Sequence, residues 1–283
     1  MMTSLLLAAA LAFTPADAKF ASCIAEEFLN ECTPREAGTI RGSLAASWLL
    51  NHASLTGADV RRDIFTAETP KGPKRFINLY ATFKSNPTNR WVVLVSHYDT
   101  KKGVPGANDG ASTSALLVAL TDILERAEAK TLTGNVMLAW VDAEESLGEH
   151  YAENDGLQGS RRAAEHLREM GVGVQAVICL DMLGDKDLGI TVPANGTKTL
   201  ARIARHAARR IGEKDLVTIS DLPITDDHVP FLDAGFPAID LIDFDYGPDN
   251  RYWHTADDTF DKISEESLLK SGRLVCEILN ILL

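Results

Sequence analysis

The stretch WVVLVSHYDTKKGVPGANDGASTSALLVALTDILERA, residues 91–127, decides the fold. Its first residues, WVVLVS, are almost all apolar, which is typical of a strand buried on both faces. A polar, glycine-rich loop follows, and from Ser112 to Ala127 apolar residues recur at the spacing of an amphipathic helix. A buried strand followed by such a helix is the repeating unit of an α/β protein with a parallel sheet.

The same alternation of strand and helix recurs along the rest of the chain. The polar segment KSNPTNR, residues 84–90, favours a hairpin connection between the first two strands. Because no repeat or linker interrupts the pattern, we predict one α/β domain, a three-layer α/β/α sandwich with a mixed, mostly parallel sheet. Strands are predicted at 76–83, 91–99, 135–143, 174–182 and 237–244, and helices at 41–53, 112–127, 160–170, 197–211 and 264–282.

The composition excludes several classes of partner. The 283 residues are 45% apolar, which is enough for one large core. The formal charge of −12 argues against nucleic acid as a partner, because nucleic-acid binders concentrate Lys and Arg. No segment after the N-terminus has the roughly 18 unbroken apolar residues of a membrane helix. We therefore expect no nucleic-acid partner, no membrane span and a monomeric protein.

The N-terminus has the pattern of an export signal. An apolar stretch from Leu5 to Phe13 precedes Ala16-Asp17-Ala18, a small-x-small site of the kind that signal peptidase cuts. The pattern predicts a signal peptide over 1–18, cleavage after Ala18, one domain over 19–283, and a secreted or periplasmic protein. Since no Lys or Arg precedes the apolar stretch, the alternative is a hydrophobic N-terminal helix.

The four cysteines do not have the spacing of a zinc knuckle. Cys23 and Cys32 would pair in an oxidising compartment only if the chain between them bends, because a continuous helix holds them too far apart. The sequence leaves that pairing open. Cys179 and Cys276 lie in apolar runs and are predicted to be core thiols.

Polar side chains that could bind a ligand or take part in catalysis follow the predicted strands. In parallel α/β sheets, ligands bind beyond the carboxyl ends of the strands, so these side chains are expected to converge at one edge. Taken singly, each has an ordinary explanation as a helix cap, a packed histidine or a solvated acid. Taken together, they match the oxygen and nitrogen ligands of a catalytic zinc site, and a bound dication removes their mutual repulsion. The set comprises His97, Asp99, Asp109, Glu144, Glu145, Asp181 and His254.

The ordered motifs HYD, GANDGAS, DAEES, GSRRAA, LDMLGD and WHTADDT resemble metallopeptidase family 28, the zinc exopeptidases, and their relatives the glutaminyl cyclases. The resemblance implies a phosphorylase/hydrolase-like fold and a catalytic domain over 19–283. For the peptidases it implies Glu144 as general base and Asp99 as the partner that orients His97. It also implies two zinc sites, one of His97, Asp109 and Asp181 and the other of Asp109, Glu145 and His254.

The cyclase branch implies different chemistry on the same frame. A single zinc would be held by Asp109, Glu145 and His254 and would polarise the γ-carbonyl of an N-terminal glutamine. The substrate's own amine would attack that carbonyl, ammonia would leave, and Glu144 would carry the proton. A two-zinc aminopeptidase is the alternative, and a binding module that kept the fold without its chemistry is a third possibility.

The segment ITDDHVPFL, residues 224–232, favours the cyclase branch. It resembles the Asp-Asp-His of glutaminyl cyclases, whereas the peptidases usually carry Ser-Asp-His. The resemblance implies that Asp226 faces Asp181, and that the pair shares a proton and holds the substrate's amine and amide. The alternative is that Asp226 caps a short helix, with Asp227 and His228 shaping the loop.

Two aromatic residues complete the predicted substrate site. Trp253 resembles the cyclase indole whose N–H reaches the γ-carbonyl oxygen, and Tyr151 stands near the position where cyclases carry a pocket tryptophan. Together with the export signal, the resemblance therefore implies an exported, zinc-dependent glutaminyl-peptide cyclotransferase acting on the N-termini of peptides or proteins.

Overall fold

The computed structural model describes residues 11–84, 89–127, 132–148 and 154–283. It contains each predicted strand and helix within a few residues. The strands are β1 Val60–Ala67, β2 Lys74–Phe83, β3 Arg90–His97, β4 Asn135–Val141, β5 Gly173–Asp181, β6 Ile190–Val192, β7 Val217–Ile219 and β8 Ala238–Ile242. The helices are α1 Pro15–Cys32, α2 Ile40–Leu55, α3 Thr113–Arg126, α4 Gln158–Met170, α5 Lys198–Arg210, α6 His228–Asp233 and α7 Glu265–Leu282.

The strands form one mixed sheet of eight strands in the order β1-β2-β4-β3-β5-β8-β6-β7. Its centre, β4-β3-β5-β8, is parallel, while β2 runs antiparallel to both of its neighbours. The predicted mixed, mostly parallel sheet is confirmed. Because β3, β4 and β5 are adjacent and parallel, the residues that follow them emerge at one edge.

The predicted hairpin between β2 and β3 is wrong. Leu79 of β2 is paired with Trp140 of β4, so β4 lies between the two strands. The other edge of β2 is occupied by β1, a strand that was not predicted because Arg61, Arg62 and Asp63 interrupt its alternation of apolar and polar residues. A polar connection predicts a turn, but it does not fix which strand fills the neighbouring place in the sheet.

Two helical layers enclose the sheet, as predicted. Helices α1, α2, α3, α5 and α7 pack on one face, and α4 and α6 pack on the other. Strand β3 shows why its apolar run is continuous: Val92 and Leu94 belong to the first core, while Val93 and Val95 belong to the second. Each such buried side chain contributes about 1.5–3 kcal/mol through the hydrophobic effect.

The N-terminal segment is packed against α7 from Leu11 onward. Leu11 and Phe13 are buried, and Asn280 exchanges two hydrogen bonds with the backbone of Leu11 (2.8 and 2.9 Å). The ring of Phe13 occupies a notch over Gly272, where a β-carbon would approach it to 2.5 Å. Helix α1 then begins with a capping box formed by Thr14 and Asp17. The predicted cleavage site thus lies in the first turn of α1, and residues 1–10 lie outside the described part of the chain.

Helix α1 also decides the cysteine question. It is continuous from Pro15 to Cys32, so Cys23 and Cys32 are separated by about 13 Å of helix, and both are free thiols. The bend that a disulfide needs is absent from this helix. Cys179 and Cys276 are buried core thiols, as predicted. No helix among the described residues is long and apolar enough to cross a membrane.

Candidate active site and metal centre

The ends of three neighbouring strands deliver the acidic and imidazole side chains to one place. His97 ends β3, Glu144 and Glu145 follow β4, and Asp181 ends β5. Left-handed backbone conformations flank these residues: Ala143 and Met182 both have φ 55°. His254, in the loop before α7, has φ 57°. Non-glycine residues adopt such angles at a cost of about 1–2 kcal/mol each, so the surrounding structure must hold them.

Asp109 comes from the kinked turn between β3 and α3. Gly110 in this turn has φ 94°, and a β-carbon there would lie 3.1 Å from the His97 ring, so glycine is required on both counts. The carboxylate of Asp258 accepts the backbone N–H groups of Asn108 (2.8 Å) and Asp109 (3.2 Å). The WHTADDT motif therefore contributes both His254 and the residue that fixes the backbone of Asp109.

Arg35 binds the backbone on either side of the loop that leads to Asp109. Its fully buried guanidinium donates to the backbone carbonyls of Tyr98 (2.6 Å), Pro105 (2.6 Å) and Gly106. It forms no ion pair with a carboxylate of the described residues, and burial lowers its pKa to about 10. Arg35 could not be predicted from the sequence, because a single arginine in an irregular segment belongs to no recognisable pattern.

Two groups of side chains could each hold a metal ion, and both contain Asp109. His97 Nε2 lies 3.2 Å from Asp109 Oδ1 and 3.1 Å from Asp181 Oδ1. His254 Nε2 lies 3.4 Å from Asp109 Oδ2 and 3.1 Å from Glu145 Oε1. Tetrahedral zinc with ligands at about 2.0–2.1 Å places its ligand atoms about 3.3 Å apart. The donor atoms and their spacing therefore fit zinc in both groups.

Asp99 organises the residues around these groups. It is fully buried, and its Oδ1 lies 3.6 Å from Nδ1 of His97. Its two oxygens also accept the backbone N–H groups of Glu144 (3.1 Å) and Glu145 (3.2 Å). One carboxylate thus faces the His97 ring and fixes the turn that carries both glutamates.

The electrostatics of the site favour protonated or cation-bound carboxylates. Burial raises the pKa of Glu144 well above its ordinary value, and the neighbouring charges of Glu145 and Asp226 raise it further. Burial, together with Asp109, raises the pKa of Glu145 to about 7 although His254 opposes the shift. The pKa of Asp226 is also raised well above its ordinary value, by burial and by the adjacent Asp181 and Asp227.

Asp226 lies inside this cluster and does not cap α6. Its side chain is 6% exposed and lines the same cavity as Asp181 and Glu144. Its Oδ1 accepts the backbone N–H of Asp227, which precedes α6 without a side-chain cap. His228 is fully buried, neither ring nitrogen has a hydrogen-bond partner among the residues that the structure describes, and burial lowers its pKa to about 4. Asp227 and His228 thus lie at the start of α6.

The catalytic cavity, the space that these side chains surround, has a volume of about 530 Å³. The ring of Trp253 stacks on His254 (centroids 3.9 Å apart) and meets Phe244 edge-on (5.0 Å). The apolar walls of the cavity, which were not predicted, are formed by Leu157, Ile224 and Ile242. Tyr151, predicted to form part of the substrate site, lies outside the described residues.

Comparison with known proteins identifies the family. A glutaminyl-peptide cyclotransferase-like protein of Mus musculus is 31% identical over 247 residues, which cover 77% of this chain and 61% of that protein. The glutaminyl-peptide cyclotransferase of Drosophila melanogaster is 28% identical over 255 residues, covering 80% and 70%. The chain therefore spans less than two thirds of the mouse relative and somewhat more of the fly one.

Solved structures show the same fold. The crystal structure of Acidobacteriales bacterium glutaminyl cyclase superposes with a TM-score of 0.89 at 29% identity, covering 100% of this chain and 99% of that one. A leucine aminopeptidase precursor from Bacteroides thetaiotaomicron shares the fold at 20% identity (TM-score 0.84, 96% and 99% covered). The profile of peptidase family M28 matches residues 78–279, which contain every residue placed in the two metal groups. The chain belongs to peptidase family M28.

Proposed function

We propose that the protein is a zinc-dependent glutaminyl-peptide cyclotransferase that converts an N-terminal glutamine into pyroglutamate and releases ammonia. The observation that carries the proposal is the buried carboxyl of Asp226, which lines the catalytic cavity together with Asp181 and Glu144. The named relatives and the Acidobacteriales structure support the same activity.

Asp109, Glu145 and His254 are the residues that would hold the zinc of a cyclotransferase. Zinc bound there supplies a Lewis acid for the γ-carbonyl oxygen of the substrate glutamine. The indole N–H of Trp253, which stacks on His254, is available to donate to the same oxygen. The three ligands come from distant parts of the chain, and Asp99 and Asp258 keep the backbones of Glu145 and Asp109 in place.

Glu144 is the proton carrier in this proposal. The substrate's α-amine nitrogen forms a bond with the γ-carboxamide carbon, and the bond from that carbon to its amide nitrogen breaks. One proton leaves the amine and one arrives on the departing nitrogen, which becomes ammonia. Glu144 suits both transfers because its raised pKa brings it closer to the pH at which it must accept and donate.

Asp226 and Asp181 position the substrate. Burial raises the pKa of both carboxyls; the charge of Asp109 raises the pKa of Asp181 further against the opposing effect of His97, and the charges of Asp181 and Asp227 raise that of Asp226, so one shared proton is favoured over two buried charges. A carboxyl pair with one proton offers both an acceptor and a donor, which fits an amine and an amide placed in attack geometry. Water is not consumed in this reaction.

A two-zinc aminopeptidase is the second candidate, and one observation favours it. The group of His97, Asp109 and Asp181 is as tightly spaced as the first, so the chain retains a complete second set of ligands. In that reaction Glu144 would deprotonate a water molecule and pass the proton to the leaving amine. Asp226 has no role in that scheme.

Mass spectrometry on a peptide beginning with glutamine separates the two candidates. The cyclotransferase releases one ammonia and keeps every residue, whereas the aminopeptidase releases free glutamine and shortens the chain. The Glu144→Gln variant, which keeps the shape and loses the proton acceptor, should lower the rate about 10²–10⁴-fold. Release of free residues by the parent protein would overturn the proposal.

We also propose that the protein is exported to a periplasm or to the medium and that it is monomeric. The apolar N-terminal stretch and the site before Lys19 support export. Cell fractionation followed by N-terminal sequencing tests this, and a mature chain beginning at Lys19 is the expected result. Gel filtration of the exported protein tests the monomer.

A further inference from the structure

A second cavity opens beside the catalytic cavity. Its volume is about 850 Å³, which is in the range of peptide and cofactor sites. The two cavities share part of their walls, namely Lys101, Glu145, Ser146 and His254. Whatever extends out of the catalytic cavity past His254 therefore enters the second one, which we call the lysine cavity.

The charge of the lysine cavity is opposite to that of the chain. Four lysines line it, against the two carboxylates of Glu36 and Glu145, although the chain as a whole carries a net charge of −12. The four are Lys71, Lys74, Lys101 and Lys102. A concave surface of one charge concentrates ligands of the opposite charge.

The lysines divide into two that are fixed and two that are free to bind. Lys101 donates to the backbone carbonyl of Ser146 (2.9 Å), and Lys71 donates to that of Leu147, so both hold the wall after the paired glutamates. Lys74 and Lys102 have no hydrogen bond or ion pair with any residue that the structure describes. Their ammonium groups are thus available to a ligand.

A buried hydroxyl in the same wall lacks a partner. Thr100 is 3% exposed and lines the lysine cavity, and its Oγ1 makes no hydrogen bond within the described structure. The oxygen itself exposes almost no surface, so Thr100 shapes the wall of the cavity, and the donors that a ligand can reach are the free lysines.

We propose that the lysine cavity binds residues 2 and 3 of the substrate and selects acidic side chains there. The inference rests on the proposed function, because it assigns the catalytic cavity to the N-terminal glutamine. The reacting end of the glutamine is placed at Glu144 and His254, and the lysine cavity continues from the catalytic cavity along their shared wall, so the residues that follow the glutamine extend into the lysine cavity. Peptides that begin Gln-Glu or Gln-Asp are the resulting substrate class.

Four peptides with amidated C-termini test the selection, namely Gln-Glu-Ala-Phe, Gln-Ala-Glu-Phe, Gln-Gln-Ala-Phe and Gln-Lys-Ala-Phe. The glutamate peptides should show kcat/KM about fivefold above the Gln-Gln peptide, mainly through KM, and the Gln-Lys peptide should be poorest. The differences should shrink as salt increases. A free-acid version of Gln-Gln-Ala-Phe reports whether a terminal carboxylate serves equally well.

Charge reversal locates the effect. In the double variant K74E/K102E the order of the peptides should invert, with the Gln-Lys peptide best and the glutamate peptides poorest. K214E is the matched control, because Lys214 is 77% exposed and precedes β7 at the opposite edge of the sheet. Equal kcat/KM for all four peptides, or an order that K74E/K102E leaves unaltered, would overturn the proposal.

A binding experiment keeps this test separate from the test of the reaction. The Glu144→Gln variant with zinc is titrated against fluorescently labelled Gln-Glu and Gln-Gln peptides, and the Kd values are compared by anisotropy. Tighter binding of the Gln-Glu peptide, lost in the K74E/K102E background, supports the acidic subsite even if no peptide is cyclised. Equal affinities reject the subsite even if cyclisation is observed.

Discussion

Replacing Arg35 with methionine is expected to damage both the stability and the metal affinity of the protein. Methionine matches the length of the arginine stem and adds no charge, so the packing over Phe28 is largely kept. It provides no donor for the carbonyls of Tyr98, Pro105 and Gly106. The change therefore isolates the hydrogen bonds of the guanidinium.

The magnitude follows from two opposing contributions. Three buried carbonyls lose a charged donor, and each such loss costs about 1–3 kcal/mol. Removing a buried cation that forms no ion pair with a carboxylate in the described part of the chain returns several kcal/mol of desolvation free energy. We expect the free energy of unfolding to fall by about 3 kcal/mol. Because the turn that Arg35 holds carries Asp109, zinc affinity should also fall, by about 10–100-fold.

Urea unfolding followed by far-UV circular dichroism measures the first effect, and zinc titration against a chromophoric chelator measures the second. Arg35→Lys keeps the charge with fewer aligned donors and should fall between the parent and Arg35→Met. Arg41→Met is the control, because Arg41 is exposed at the start of α2 and should change stability by under about 0.5 kcal/mol. If Arg35→Met kept the stability and zinc affinity of the parent, the hydrogen bonds of Arg35 would not be what holds the Asp109 turn in place.

Four further changes probe the site and the fold. Asp226→Asn, which cannot share a proton as a carboxyl pair does, should lower kcat for cyclisation at least tenfold with a smaller change in zinc affinity, and an unchanged kcat would remove Asp226 from the reaction. In the full chain Gly272→Ala should cost about 1–3 kcal/mol of stability, because the new methyl group meets the Phe13 ring at 2.5 Å, whereas a chain that begins at Lys19 lacks that ring and should tolerate the change; equal effects in the two chains would contradict this packing. The pKa of His228 is about 4 in the folded protein and about 6.5 in the unfolded chain, so the unfolded state binds more protons and the free energy of unfolding falls as the pH drops from 7 to 4. In chemical denaturation, the His228→Asn variant should lose about 3 kcal/mol less than the parent over this range. Equal losses in the two proteins would contradict the buried, neutral state of His228. Chelation of metal should lower Tm and added zinc should restore it, because the clustered carboxylates lose the cation that offsets their repulsion, whereas a Tm indifferent to chelator would speak against a metal centre.

Much of the fold was readable from local patterns. The run from Trp91 to Ala127 has the periodicity of strand and then helix, and β3 and α3 occupy it as predicted. The rule that parallel strands expose ligands at their carboxyl ends then anticipated that His97, Glu145 and Asp181 would meet, and the structure brings them together. The resemblance to family M28 is confirmed by the profile match.

Other features depended on contacts that no local pattern encodes. The placement of β4 between β2 and β3 is a long-range choice, which the polar segment 84–90 does not report. Arg35 acquires its role only when residues 63 to 71 positions later fold over it. The lysine cavity likewise brings Lys71 and Lys74, from the connection into β2, together with Lys101 and Lys102, which follow β3, so no single run of charge in the sequence predicts it.

The left-handed backbone at Ala143 has a consequence for how this protein would respond to selection. Glycine adopts φ 55° without steric penalty, a relief of about 1–2 kcal/mol, whereas the alanine methyl group that it would remove from the buried cluster with Ala37 and Phe76 contributes about 0.8 kcal/mol. A population screened for heat tolerance alone would therefore gain from glycine at position 143. The same substitution would make the backbone next to Glu144 more flexible and its carboxyl less well positioned, so stability and catalytic rate favour different residues at position 143. Proteins selected for heat tolerance and proteins selected for rate should therefore differ at this position first.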